Sequence, residues 1–188
     1  MYRAVIFDFD GTIIDTEQHL FNVINKHLEM HNADPISIDF YRSSIGGAAT
    51  DLHDHLIKAI GSENKDKLYE EHHIPMAIAT SSVKSEIMPT FKALGLDDYI
   101  EVVVGREDVE QVKPDPELYL SAVQQLNYMP TQCLAIEDSV NGATAAIAAG
   151  LDVIVNTNKM TSAQDFSNVD YVAKDIDYDQ IVARFFTK

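Results

Sequence analysis

Four short stretches of this sequence collect residue types that can handle a charged, oxygen-rich group. In Phe7-Asp8-Phe9-Asp10-Gly11-Thr12 two carboxylates stand two residues apart, directly after an apolar run. Residues at that spacing in an extended strand project to the same face, so Asp8 and Asp10 can share one crevice, and Gly11 permits a sharp turn after them. Carboxylates this close repel each other unless a cation or a shared proton intervenes. Taken alone, the stretch could equally be an Asp-rich turn capping a helix. Ala79-Thr80-Ser81-Ser82 offers hydroxyls and free backbone N–H groups at a strand-to-helix turn, which can hold a phosphate or simply cap the helix. In Val112-Lys113-Pro114-Asp115-Pro116 the prolines stiffen the backbone, so Lys113 is presented as a point charge suited to a phosphoryl group. The alternative there is Asp115 as a helix cap beside a solvated Lys113. Ile136-Glu137-Asp138-Ser139 supplies two more acids after an apolar run. Magnesium prefers oxygen ligands and suits a few carboxylates plus a substrate phosphate. A cap through Asp138 or Ser139, with Asn141-Gly142 as ordinary small-residue sequence, is the competing reading.

The elements that must position these residues are legible from apolar periodicity. Runs rich in β-branched residues at Ala4-Phe7, Met76-Ala79, Val102-Val104, Leu134-Ile136 and Val153-Val155, with a weaker one at Tyr171-Ala173, predict strands buried on both faces. Helical patterns lie between them: Ile87, Phe91 and Leu94 closed by Gly95; Tyr119, Val123 and Leu126 opened by Asp115 and Pro116; and Ala143 to Ala149 closed by Gly150. Pro89 fits its helix badly and predicts a late start or a kink. Alternating strands and helices imply an α/β fold, a doubly wound parallel sheet whose functional groups gather at the carboxyl ends of the strands. Each of the four stretches falls at such an end.

From Asp15 to His73 the alternation stops. Two amphipathic patterns, Leu20, Ile24 and Leu28, then Leu52, Leu56 and Ile60, predict an α-helical insertion between the first two strands. Gly46-Gly47 between them is either an interhelical turn or a loop facing a substrate. The expected division is a core of residues 1–14 and 74–188 with a helical domain of residues 15–73. That insertion looks incomplete near residues 71–74: Glu71-His72-His73 runs straight into Ile74-Pro75-Met76, without the crossover that parallel strands require. A stretch of roughly 20 to 30 residues, the size of a linker plus a crossover helix, is expected there. Its omission from the sequence is favoured over a natural truncation that would uncover one sheet face.

Composition bounds what such a chain can bind. Its 188 residues, 46% of them hydrophobic, suffice for one substantial core. Fourteen Lys and Arg against 30 Asp and Glu give a formal charge of -16, which repels nucleic acid and acidic membranes, while a metal ion or a helix N-terminus could still create a local anion site. The single cysteine, Cys133, lies in the apolar run CLAI and reads as a buried structural thiol. The start MYRAVIFDFD lacks a secretory signal pattern, and no segment reaches the ~18 apolar residues of a membrane span, so a cytoplasmic location is the expectation.

Taken together, a carboxylate pair, a hydroxyl, a lysine and an acid pair, in that order at four strand ends, resemble the haloacid dehalogenase superfamily. The similarity is to the subgroup containing β-phosphoglucomutase and sugar-phosphate phosphatases, and it covers essentially the whole chain. It implies a Rossmann-like core carrying an inserted helical cap, residues 15–73, whose closure excludes water and selects the substrate. It implies Mg2+, held by the carboxylates of Asp8 and Asp138 and the backbone carbonyl of Asp10. Asp8 then matches the nucleophile that forms an aspartyl phosphate, and Asp10 the acid and base that protonates the leaving oxygen and later activates water. Thr80 and Lys113 match residues that hold the transferring phosphoryl group, with Ser81 contributing through its backbone. Glu137 matches a neighbouring acid placed just outside the metal ligands.

Within that resemblance, Asp10 argues against haloalkanoate dehalogenation, which protonates no leaving oxygen. A phosphonate hydrolase would need a cap lysine forming a Schiff base; Lys26 and Lys58 lie in amphipathic helices where a solvated lysine is usual. A β-phosphoglucomutase-type transfer, the main alternative, calls for a cationic cap residue, yet Ser43 to Thr50 contains no positive charge after Arg42. His19 resembles a cap-entry histidine or a surface residue at a helix start. A non-catalytic binding module is disfavoured because Asp8, Asp10, Lys113 and Asp138 are all present. The resulting expectation is a magnesium-dependent phosphomonoester hydrolase acting on a small phosphorylated metabolite, sugar or polyol phosphates ahead of nucleotides. Neither nucleic acid nor membrane is an expected partner, and the helix patterns favour no particular oligomeric state.

Overall fold

The computed structural model describes residues 1–13, 25, 28–29, 33–37 and 74–186. The chain divides into two compact units, one of Met1–Asp15, Ile74–Ile87 and Tyr99–Lys188, the other of Thr16–His73 with Met88–Asp98. In the second unit Leu28 and Ile36 are buried, and the Asn25 side-chain amide pairs with both backbone groups of Ile36, at 3.1 and 2.7 Å. Expectations resting on His19, Leu20, Ile24, Lys26, Arg42, Gly46-Gly47, Lys58, the Leu52, Leu56 and Ile60 pattern, and Glu71 to His73 lie outside the described residues.

The first unit is built on six parallel strands: β1 Ala4–Phe7, β2 Met76–Ala79, β3 Ile100–Val104, β4 Cys133–Glu137, β5 Asp152–Val155 and β6 Ala173–Lys174. Their order across the sheet is β3-β2-β1-β4-β5-β6. The chain winds outward from β1 to one side and then returns to the other, so β1 lies at the point where the order reverses. In open α/β sheets a crevice forms there, outside the carboxyl ends of the strands. The expected apolar runs reappear with adjusted ends. β4 extends to include Cys133 and Glu137, while the weak run at Tyr171-Ala173 gives way to the two-residue strand Ala173–Lys174, which shares only Ala173 with it and pairs with β5.

Alternation along the strands sorts side chains onto two faces. Ala4 and Ile6 join one buried cluster with Leu118, Tyr119, Ala122 and Val123 of helix α2 (Glu117–Leu126) and Ala143, Ala145 and Ala146 of helix α3 (Val140–Ala148). Val5 joins a second cluster with Leu134, Ile154 and Ile181, against which Phe7 and Phe185 pack. The doubly wound reading therefore holds, with helices on both faces. Ile181 belongs to a helix that apolar spacing did not single out, Tyr178–Phe185. A capping box marks its start: Asp177 accepts from the Gln180 N–H at 2.8 Å and Gln180 Oε1 accepts from the Asp177 N–H at 3.2 Å. Helix α1 (Lys84–Ala93) contains Pro89 in its interior rather than starting after it. Cys133 is fully buried, as expected, and burial pushes its thiol up to about 11.

Among the described residues no helix is long and apolar enough to cross a membrane. Ile6 is fully buried at the centre of the sheet, and truncation there leaves a cavity the flanking strands cannot close. Ile6→Ala is expected to cost about 2–5 kcal/mol of stability, read from the midpoint of urea denaturation.

Candidate active site

The ladder carries Asp8 to the crevice. Its backbone N–H donates to the Ile136 carbonyl at 2.9 Å, extending the β1–β4 pairing one residue past the strand, and its carboxylate is buried there. The chain then turns through Gly11 at φ +93°, a backbone region that other residues avoid. The turn also needs glycine for space: a Cβ on Gly11 would stand 2.5 Å from Asp138 Oδ2 and 2.7 Å from Asn158 Nδ2. Because β4 neighbours β1, Glu137 and Asp138 arrive beside Asp8, and one oxygen from each of the three acids lies within 4.8 Å of the others.

Lys113 meets this cluster from the loop before α2. Its Nζ donates to Asp8 Oδ1 at 2.5 Å and to Glu137 Oε1 at 2.6 Å, and its side chain is 7% exposed. Glu137 is saturated by partners. Oε1 also accepts from Tyr119 Oη at 2.7 Å, and Oε2 accepts from the Asp138 N–H, the Ser139 N–H and Ser139 Oγ at 3.2, 3.4 and 3.2 Å. Ser139 Oγ in turn accepts from the Gly142 N–H at 3.1 Å, capping α3. Gly142 is no generic small residue, since a Cβ there would overlap the Glu137 carboxylate.

Asp8 Oδ2 is buried and has no hydrogen-bond partner among the described residues. Three carboxylates surround one ammonium, so the cluster is short of positive charge. Burial, opposed only in part by Lys113, pushes the Asp8 carboxyl up to about 7. Burial and the Glu137 charge likewise raise Asp138. Burial pulls the Lys113 ammonium down, but the charges of Glu137 and Asp8 outweigh it, so Lys113 is held above its ordinary value. A buried carboxylate oxygen without a donor, in a pocket with excess negative charge, fits a small divalent cation. Asp8 and Asp138 are the residues able to hold one, because Glu137 is already fully engaged.

The other expected residues gather around Asp10, which stays exposed. Asp10 Oδ2 accepts from Ser82 Oγ at 2.6 Å and from Thr80 Oγ1 at 3.2 Å. Thr80 Oγ1 also accepts from the Ser82 N–H at 3.0 Å, and Ser81 sits half-buried in the same turn. That turn is braced from the end of β3: the Ser82 carbonyl accepts from the Arg106 N–H at 3.0 Å, and Glu107 accepts the Lys84 N–H with both oxygens at 3.0 and 3.2 Å. Lys84 Nζ pairs with Asp108 at 2.5 Å. The expected residues thus form two adjoining groups, Asp8 with Lys113, Glu137 and Asp138, and Asp10 with Thr80. Sequence reasoning missed Tyr119 and Asn158, and it quoted Ser82 only among the hydroxyls of its turn, with no role of its own. Tyr119 was visible only as an apolar helix position, although a buried tyrosine hydroxyl needs a partner.

A family model described as haloacid dehalogenase-like hydrolase matches residues 5–73 and 65–156. This chain belongs to the haloacid dehalogenase-like hydrolases. Among its relatives, the Bacillus subtilis (strain 168) protein named "Putative phosphatase YhcW" is 34% identical over 200 residues, covering 91% of this chain and 90% of that one. The "Phosphorylated carbohydrates phosphatase" of Thermotoga maritima is 30% identical over 181 residues, covering 81% of this chain and 83% of that one. The crystal structure of CbbY from Rhodobacter sphaeroides in complex with phosphate superposes with a TM-score of 0.61 at 22% identity, covering 93% of both chains. That likeness shows that the two chains share a fold.

Two measurements probe this arrangement. Gly142→Ala forces the Glu137 carboxylate to move and is expected to cost about 1–3 kcal/mol in thermal or urea denaturation. The pH dependence follows from Asp8. With its carboxyl at about 7 in the fold against an ordinary 3.8, the folded chain holds a proton that the unfolded chain has released. Stability of the metal-free protein should therefore fall as pH rises from about 4 to 7. A divalent cation needs the ionised carboxylate, so its affinity should rise over the upper part of that window, and binding at pH 6.5 should release protons. Calorimetric titration in buffers of different ionisation enthalpy reads that release.

Proposed function

We propose that this hydrolase is a magnesium-dependent phosphomonoesterase acting on a small phosphorylated metabolite through a phosphorylated Asp8. The observation that carries the proposal is the state of Asp8: Lys113 fixes one oxygen, and the other is buried without a partner among the described residues. A carboxylate so placed is oriented for attack and deprived of competing donors.

In this reading the Asp8 carboxylate attacks phosphorus while the ester oxygen departs with the proton of Asp10, leaving an acyl phosphate. Asp10, now ionised, takes a proton from water, whose oxygen attacks the same phosphorus and releases inorganic phosphate and free Asp8. Its exposed position and its hydroxyl partners, Thr80 and Ser82, suit a group that exchanges protons with the leaving oxygen and then with water. Lys113 neutralises charge on the transferring group, and Thr80 and Ser81 lie on the turn that would receive the remaining phosphoryl oxygens. Asp8, Asp138 and the Asp10 carbonyl would hold Mg2+, which when bound supplies the positive charge that the acid cluster lacks. Residues 15–73 would form the cap that excludes water and selects the substrate. Relatives named as phosphatases, one of phosphorylated carbohydrates, favour a sugar or polyol phosphate.

The test is phosphate release from a panel of phosphorylated metabolites, including β-glucose 1-phosphate, with Mg2+ or with a chelator. Release that needs Mg2+, falls by more than about a thousandfold in Asp8→Asn and by about 10²–10³-fold in Lys113→Ala, is the expected result. Undiminished release by Asp8→Asn would falsify the covalent route. Conversion of β-glucose 1-phosphate to the 6-phosphate without net release would instead make the chain a mutase.

A further inference from the structure

Three strand ends converge on one side chain that the reaction above does not use. Asn158 lies in the loop after β5, and its Nδ2 donates to Asp138 Oδ2 at 2.7 Å and to the Gly11 carbonyl at 3.2 Å. Its Oδ1 accepts from the Met160 and Thr161 N–H groups at 2.7 and 3.1 Å, and its own N–H donates to Thr161 Oγ1 at 3.0 Å. The orientation of the amide follows from its neighbours. Two backbone N–H groups can only donate to it on one side, while the carbonyl on the other side can only accept.

We propose that Asn158 is the positioning residue of the cation site, clamping Asp138 and the turn at Gly11 into one fixed arrangement. The inference rests on the metal reading given above. Asp138 follows β4 and Gly11 follows the Asp10 carbonyl by one residue, so one NH2 group ties together two of the three elements proposed to hold the ion. Holding Asp138 Oδ2 fixes the plane of that carboxylate and limits how its other oxygen is presented. Holding the Gly11 carbonyl fixes the turn against the same acid, at the place where no side chain fits. Partners of this kind orient ligands and strengthen a site without touching the ion.

Asn158 has a second role, since its Oδ1 also builds the loop, and the two roles can be separated. Asn158→Ser keeps a hydroxyl oxygen that can accept from Met160 and Thr161, but it is too short to reach Asp138. Thr161→Ala disturbs the same loop and leaves the clamp intact. Mg2+ binding by calorimetry without substrate, with melting temperatures of all three proteins, reads the site independently of turnover. The expected result is a dissociation constant raised about 10- to 100-fold in Asn158→Ser, with melting close to wild type. Thr161→Ala should melt lower yet bind Mg2+ within about twofold of wild type. Equal Mg2+ affinity in Asn158→Ser and wild type overturns the clamp, as does equal weakening in both variants, which would assign the effect to the loop. If the wild-type protein binds no Mg2+, both the clamp and the metal reading fall.

Discussion

The ammonium of Lys113, wedged between Asp8 and Glu137 at 2.5 and 2.6 Å, is the contact on which the site depends. Removing one partner from a buried ion pair leaves an uncompensated charge, and here there are already more acids than bases. Glu137 answers its share of the imbalance with hydrogen bonds from Tyr119, Ser139 and two backbone N–H groups. Asp8 has no such shell. The surplus negative charge is thereby concentrated on Asp8, adding a local attraction for cations to that of a chain of charge -16.

The fold produces this asymmetry through strand order. With β1 between β2 and β4, Asp8 and Asp10 meet the Thr80 turn on one side and the Glu137-Asp138 pair on the other. The alternation that buries Val5 and Ile6 on opposite faces also sets which way the chain leaves the sheet. Close approach does the rest. Gly11 and Gly142 each stand where a methyl group would collide with an acid, Asp138 in one case and Glu137 in the other.

Much of this was legible in the sequence. Short apolar runs located five of the six strands closely and met the sixth at Ala173 alone, because strands buried on both faces are continuously apolar and need no tertiary information to be seen. The four motifs were legible for the same reason: each sits where an apolar run stops. What escaped notice was whatever depends on contacts between distant segments. Ser82 reads as an ordinary cap until Asp10 is placed against it, and Asn158 has no partner within its own stretch of sequence. The helix Tyr178–Phe185 was missed although Asp177 and Gln180 spell a capping box, since its apolar face is completed by Ile176 and the strand residues beneath it. Of the two outcomes expected at Pro89, the late start is not found, because the helix runs from Lys84 through it.

Lys113 lies 105 residues along the chain from Asp8, and Glu137 lies 24 further on. Both ion pairs of Lys113 are therefore non-local, and all three groups meet only after β4 docks beside β1. Non-local pairings of this kind form late because the chain entropy of closing the loop must be met first. A ribosome emitting this polypeptide exposes Asp8 and Asp10 long before their counter-charge exists. In the reading proposed above, the order of synthesis would leave the nascent chain without its cation site until β4 is in place.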